Sequence, residues 1–253
     1  MTHARHALVT GGGQGIGAAI AHAMAAQGMR VTIVGRRISV AQAMADRNPE
    51  HLFAAAADVT DPEQVAAALQ LAESRFGAVE VLVNNAGQAQ STPFLKMDLN
   101  LWHQMLSVNL TGTMICTQAV LPAMLRSGWG RIVNIASTAG QTGYAYVTAY
   151  CAAKHGVLGL TKSLALELAT KGITVNAVCP GFTETDLVRA SIERVVAKTG
   201  RTHEQAMAEF VNTNPQGRLV QPEQVANAVM WLCGESADAV TGQAISVSGG
   251  EVM

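Results

Sequence analysis

Several features are scarce in this chain of 253 residues. Charged side chains make up 14% of it, the formal net charge is -1, and no basic block is present. Nothing therefore offers the phosphate-neutralising surface that a nucleic-acid partner needs. The four cysteines, Cys116, Cys151, Cys179 and Cys233, lie far apart, without CxxC or metal-ligand spacing. They are expected to be small core residues in a reducing compartment, with no metal site. No uninterrupted apolar run reaches the ~20 residues of a membrane-spanning helix. A strand begins near Ala7, which leaves no room for a signal peptide. The expectation is a cytoplasmic protein with neither nucleic acid nor membrane as partner.

What is abundant points to a packed core. Hydrophobic residues reach 49%, and there are 24 glycines, which suit tight turns and close packing. Strand-like and helix-like stretches alternate from end to end. Strands are expected at 6–10, 30–34, 51–57, 79–83, 131–135, 173–178 and 244–247. Helices are expected at 14–27, 39–47, 61–76, 99–126 with a break near Gly112, 147–170, and from Pro222 to about Cys233. Asp61-Pro62-Glu63 reads as a helix start, with a capping Asp, a first-turn Pro and an acid at the positive end. Gly77 and Gly172 read as stops. No linker, repeat or low-complexity tract interrupts the chain, so 1–253 is expected to be one domain. The alternation predicts an α/β fold: a single doubly wound parallel sheet of about seven strands, with helices on both faces.

A glycine loop follows the first strand: Thr10-Gly11-Gly12-Gly13-Gln14-Gly15-Ile16-Gly17. Glycines there let the backbone turn sharply and approach a pyrophosphate resting on the helix N-terminus. The end of the second strand chooses the dinucleotide. An acid there would accept from a ribose 2′-hydroxyl; here Gly35 is followed by Arg36 and Arg37. Arginine can grip a 2′-phosphate, so NADP(H) is expected rather than NAD(H).

Tyr150 and Lys154 lie four residues apart in a helical pattern, on one helix face. A phenol ordinarily holds its proton to a pKa of ~10. A nearby ammonium is expected to lower it and let the pair exchange a proton near neutrality. Ser137 ends a strand and could hydrogen-bond a substrate carbonyl.

Together these motifs resemble the short-chain dehydrogenase/reductase family, in its ordinary-length NADP-type branch. The resemblance rests on the glycine loop, Asp58-Val59, Asn84-Asn85-Ala86-Gly87, Asn109, Ser137, Tyr150 with Lys154, and Pro180-Gly181-Phe182-Thr183. It implies catalytic roles for four residues. Tyr150 would be general acid or base, Ser137 would orient the carbonyl, and Lys154 would hold the nicotinamide ribose. Asn109 would support a water leading to Lys154. It also implies cofactor contacts from Gly11, Gly13, Gln14, Gly15, Ile16, Gly17, Arg36, Arg37, Asp58, Val59, Asn85, Ala86, Gly87, Tyr150, Lys154, Pro180, Gly181 and Thr183. A homotetramer is implied, with the helices near 99–126 and 147–170 in one interface.

Two subgroups look close: 3-oxoacyl or polyketide ketoreductases, and D-3-hydroxybutyrate dehydrogenases. In the latter a His and a Lys hold the substrate carboxylate; the matching places here hold Ala139 and Val147. An uncharged ketone or a 3-oxoacyl thioester is therefore expected as substrate, interconverted with a secondary alcohol. The oxidative direction, as an alcohol or 3-hydroxyacid dehydrogenase, and a non-catalytic cofactor-binding regulator are the alternatives. Segment 184–215 is expected to be a substrate lid. Its Arg189, Arg194, Lys198 and Arg201 would form a solvated face or meet the phosphates of an acyl carrier.

Overall fold

The computed structural model describes residues 4–253. Seven parallel strands form one sheet in the order β3-β2-β1-β4-β5-β6-β7. They are β1 (His6–Thr10), β2 (Arg30–Gly35), β3 (Leu52–Ala56), β4 (Val81–Asn84), β5 (Gly130–Ile135), β6 (Ile173–Pro180) and β7 (Ala244–Val247). Runs such as Val81–Asn84 are buried along their whole length. Burial on both faces is why they read as continuous apolar stretches rather than as alternation. The chain order reverses between β1 and β4, which places a crevice at their C-terminal ends.

One face of the sheet is covered by α1 (Gly15–Ala26), α2 (Ile38–Ala45) and α9 (Pro222–Cys233), whose Ile20, Met24 and Leu232 are fully buried. The other carries α3 (Pro62–Phe76), α5 (Gly112–Ser127) and α6 (Thr148–Leu168). The Asp61 carboxylate accepts from the Glu63 and Gln64 amides, and Gly77 closes α3 at φ 84°, as the sequence predicts. The expected break near Gly112 takes the form of an irregular turn just before it, without interrupting the helix. Helix α4 (Leu99–Leu106) runs into a π turn, Ser107–Thr111, and on into α5. Gly112 itself serves packing, since a Cβ there would lie 2.7 Å from Val59 Cγ2. The continuous helix Leu99–Ser127 is long and apolar enough to cross a membrane by length and composition, which no uninterrupted run in the sequence suggests. Half of its most apolar window is buried inside the protein, where Cys116, Val120 and Met124 meet the core.

Between β6 and α9 lie α7 (Asp186–Thr199) and α8 (His203–Val211). Thr185 caps α7, Gly200 ends it in the left-handed region, and a Thr202–Gln205 capping box opens α8. This pair has its own small core of Val188, Ile192, Ala206 and Leu219, with Phe182 and Phe210 packed on it. All four cysteines are buried and unpaired.

Candidate active site

A cavity of about 1000 Å³ opens at the C-terminal ends of the central strands. The glycine loop, the ends of β2, β4, β5 and β6, the start of α6, and α7 line it. Ser137, Tyr150, Lys154 and Asn109 all reach it.

Ser137 stands just past β5 in extended backbone, and its Oγ accepts from the Ala139 amide at 3.1 Å. Its side chain also hydrogen-bonds the Tyr150 phenol. Lys154, one helical turn beyond Tyr150, is buried and donates to the Ile135 carbonyl at 2.8 Å. Its Nζ lies 5.7 Å from the Tyr150 ring centroid. The acid–base balance differs from the expectation. Burial pushes the Tyr150 phenol above its ordinary value, and the Ser137 hydrogen bond opposes this only in part. Lys154 is itself pushed down by burial, to about 8. Desolvation is the largest influence on both, because both groups leave water together. Tyr150 therefore keeps its proton at neutral pH, as a proton donor must.

Asn109 sits fully buried in the π turn. Its Oδ1 accepts from the Gln88 amide at 3.1 Å, and its Nδ2 donates to the Gln88 and Met105 carbonyls at 2.9 Å each. The side chain thus fixes the loop after β4. Gly87 permits this crowding, because a Cβ there would lie 2.8 Å from Asn109 Oδ1.

The glycine loop is locked from beneath. Thr10 Oγ1 accepts from the Asn85 and Ala86 amides at 3.0 Å each. Asn85 Nδ2 donates to the Thr10 and Gly11 carbonyls. Gly11 and Gly15 have φ 65° and 54°, conformations that favour glycine. Two expected contacts lie off the cavity. A Cβ on Gly17 would meet Asn85 Nδ2 and the Gly11 carbonyl at 2.4 Å, so Gly17 supports the loop from behind. Thr183 is buried, with its hydroxyl on the Gly181 carbonyl at 3.0 Å. Asn85 itself lines the cavity, yet its amide is spent on the loop.

Gly13, Gln14, Gly15, Ile16, Ala86, Gly87, Val59, Pro180 and Gly181 line the cavity. Beyond Gly35 nothing would meet a Cβ within 4 Å, which leaves open space beside Arg36 and Arg37. Arg37 donates to Gln14 Oε1 at 2.7 Å. Arg36 is 3.9 Å from the Asp58 carboxylate, and Asp58 also accepts from the Thr60 amide and hydroxyl. The two guanidinium groups thus flank an uncharged strand end, a fit for a 2′-phosphate.

The family model described as short chain dehydrogenase matches residues 5–196. The chain belongs to the short-chain dehydrogenase family. A putative ketoacyl reductase of the granaticin polyketide synthase from Streptomyces violaceoruber is 42% identical over 249 residues, 96% of this chain and 92% of that one. A 3-oxoacyl-[acyl-carrier-protein] reductase, FabG, of Aquifex aeolicus is 39% identical, covering 96% and 95%. A D-beta-hydroxybutyrate dehydrogenase of Rhizobium meliloti is 35% identical, covering 96% and 97%. Among solved structures, an actinorhodin polyketide ketoreductase variant with NADPH superposes with TM-score 0.94 at 40% identity, covering 98% and 97%.

In this short-chain dehydrogenase the substrate side of the cavity was the least legible part. The chain has only three tyrosines and five phenylalanines, yet Tyr144, Tyr146, Tyr150, Phe182 and Phe210 all line the cavity. Phe182 stands edge-to-face with both Tyr144 and Phe210. The Tyr144 phenol meets Thr138 Oγ1 at 2.8 Å and the Glu251 carboxylate. No local pattern announces this set, because Phe182, Phe210 and Glu251 arrive from distant segments. The four basic residues of 184–215 divide. Arg189 pairs with Glu184 and Arg201 with Glu209, whereas Arg194 and Lys198 face the cavity.

Proposed function

We propose that this protein is an NADPH-dependent carbonyl reductase that converts a neutral ketone, a 3-oxoacyl thioester or a bulky ketone, to a secondary alcohol. The observation that carries the reading is the convergence of Ser137, Tyr150 and Lys154 on one cavity that the glycine loop and the arginine pair also enter. The ketoacyl reductase names of the relatives and the NADPH of the structural neighbour support it.

The loop from Gly11 to Ile16 would take the pyrophosphate, with Gly17 behind it. Arg36 and Arg37 would take the 2′-phosphate, and Asp58 and Val59 the adenine. Ala86 and Gly87 would lie beside the adenosine ribose, and Lys154 would hold the other ribose. Pro180, Gly181 and the backbone at Thr183 would set the nicotinamide face. When bound, NADPH supplies the hydride. The chain's own residues position and protonate. Ser137 donates to the ketone oxygen and orients it. Tyr150 gives that oxygen its proton as the alcohol forms. Lys154, cationic near neutrality, steadies the charge left on the phenol. The same atoms run the reverse reaction when the oxidised cofactor and the alcohol are in excess.

Residues 1–253 act as one unit, with 184–215 closing over the substrate and excluding water. A cytoplasmic homotetramer is the assembly we expect. Exposed Leu99, Leu125 and Leu166 lie on helices that would meet a second copy, and light scattering would check it.

The test is oxidation of NADPH and of NADH by the purified protein with acetoacetyl-CoA, free acetoacetate, and aryl or cyclic ketones. Turnover of a neutral ketone or thioester with NADPH is expected. Equal use of NADH, or turnover of acetoacetate alone, would sink the proposal.

A further inference from the structure

Tyr150 and Tyr144 both line the cavity, bonded to Ser137 and Thr138 respectively, and they differ in what holds their protons. Tyr150 is bonded to a serine hydroxyl and remains free to pass its proton on. Tyr144 is not. Its oxygen is wedged between Thr138 Oγ1 and Glu251 Oε1. A phenol has one proton. The carboxylate is the stronger acceptor and takes it, and the Thr138 hydroxyl turns its own proton to the phenol oxygen. What Tyr144 then offers the cavity is a lone pair and a ring, with no donor.

Glu251 lies behind that wall, close under Gly181, where a Cβ would fall 2.6 Å from Glu251 Oε2. This second carboxylate oxygen is buried without a hydrogen-bond partner. Among the described residues no Lys, Arg or His offsets its charge. The carboxylate is held there by the turn Ser248–Glu251, in which the Glu251 amide donates to the Ser248 carbonyl. Burial raises both the Tyr144 phenol and the Glu251 carboxyl, so the phenol stays protonated.

We infer that Glu251, acting through Tyr144, sets the ketone pocket against substrates that carry a carboxylate next to the reacting carbonyl. This rests on the ketone-reductase reading above and adds the residues that choose among ketones. An incoming carboxylate needs donors; Tyr144 has none to give, and a buried like charge lies behind it. A neutral ketone, ester or thioester meets only a ring and an acceptor. Negative charge farther along the substrate is tolerated, because Arg194 and Lys198 face the cavity from α7. Tyr144 is a specificity determinant, and Glu251 is a positioning residue.

The test uses two ligands of like shape that the protein does not turn over, butanoate and butanamide, titrated calorimetrically into the NADPH complex. The parent is expected to bind butanamide and to discriminate against butanoate. Glu251→Gln keeps an acceptor for Tyr144 and removes the charge. It should tighten butanoate by about tenfold and leave butanamide within about twofold. Glu251→Ala also frees the Tyr144 proton, and should tighten butanoate further. Unchanged NADPH affinity certifies that each variant is folded. Butanoate binding that stays unchanged or undetectable in both variants, or that moves in step with butanamide, overturns the inference. Because neither ligand reacts, this result is independent of which ketone, if any, the substrate panel finds.

Discussion

The two walls of the cavity are built on different principles. The cofactor wall is held by backbone. The Thr10 hydroxyl and the Asn85 side-chain amide tie down the main chain of Asn85 and of Thr10 and Gly11, and Gly11 and Gly17 make contacts too tight for a single methyl group. The substrate wall is held by side chains: a Tyr144–Phe182–Phe210 edge-to-face row, a buried carboxylate, and two helices with a small core of their own. Backbone cradles tolerate little change and suit a ligand that never varies. Side-chain walls can be recut residue by residue while the sheet stays intact. Reaction class therefore belongs to the first wall and to the residues between the two, and substrate choice belongs to the second.

The largest test of that division falls between the walls. Tyr150→Phe should reduce ketone turnover by about 10³-fold, within the range for removing a general acid. NADPH affinity, followed by fluorescence titration, should hold. Turnover within tenfold of the parent would mean that some other group protonates the ketone.

A smaller effect is expected on the cofactor wall. Replacing Arg36 and Arg37 together with Ala should raise the KM for NADPH by about 10- to 100-fold, as loss of charge-assisted hydrogen bonds predicts. The KM for NADH should change by less than about threefold. Parallel loss with both nucleotides would mean that the pair, through the Arg37–Gln14 contact, merely shapes the loop.

The smallest effect is thermodynamic, and it separates function from stability. Lys154 is buried and its pKa is lowered to about 8. Between that value and its ordinary one, the folded protein binds fewer protons at this site than the unfolded chain. The parent's stability from this group therefore rises with pH across that window. Lys154→Met should then abolish most turnover and yet raise Tm at pH 7. Its advantage over the parent should shrink as pH climbs through about 8 toward about 10.5, by at most about 1.4 kcal/mol per pH unit. A constant difference across that range would show that the ammonium pays no desolvation cost.

Much of this was readable in advance, for specific reasons. Strands such as Val81–Asn84 announce themselves because both faces are buried, so Val81, Leu82 and Val83 follow one another without alternation. Asp61-Pro62 and Gly77 mark helix ends because capping is local chemistry. The helix irregularity falls directly before Gly112, near where the sequence suggests a break. It is the π turn around Asn109, whose side chain bonds back to Met105 and across to Gln88. That second partner lies 21 residues away, and no local window contains it. Gly17 and Thr183 sit within cofactor-loop motifs, yet they turn away from the cavity to carry packing and backbone bonds.

By itself the sequence determined the parallel sheet, the glycine loop, the arginine pair and the Ser137–Tyr150–Lys154 set, because periodicity, turn chemistry and helical spacing act over a few residues. Only the tertiary structure decided the proton balance of Tyr150 and Lys154. Desolvation depends on everything packed around a group, and here it is the largest influence on both. The fold alone also brought Glu251 to Tyr144 across 107 positions, along with the aromatics that make the substrate wall. A contact of that separation forms when the sheet closes, and its residues carry no mark of it beforehand.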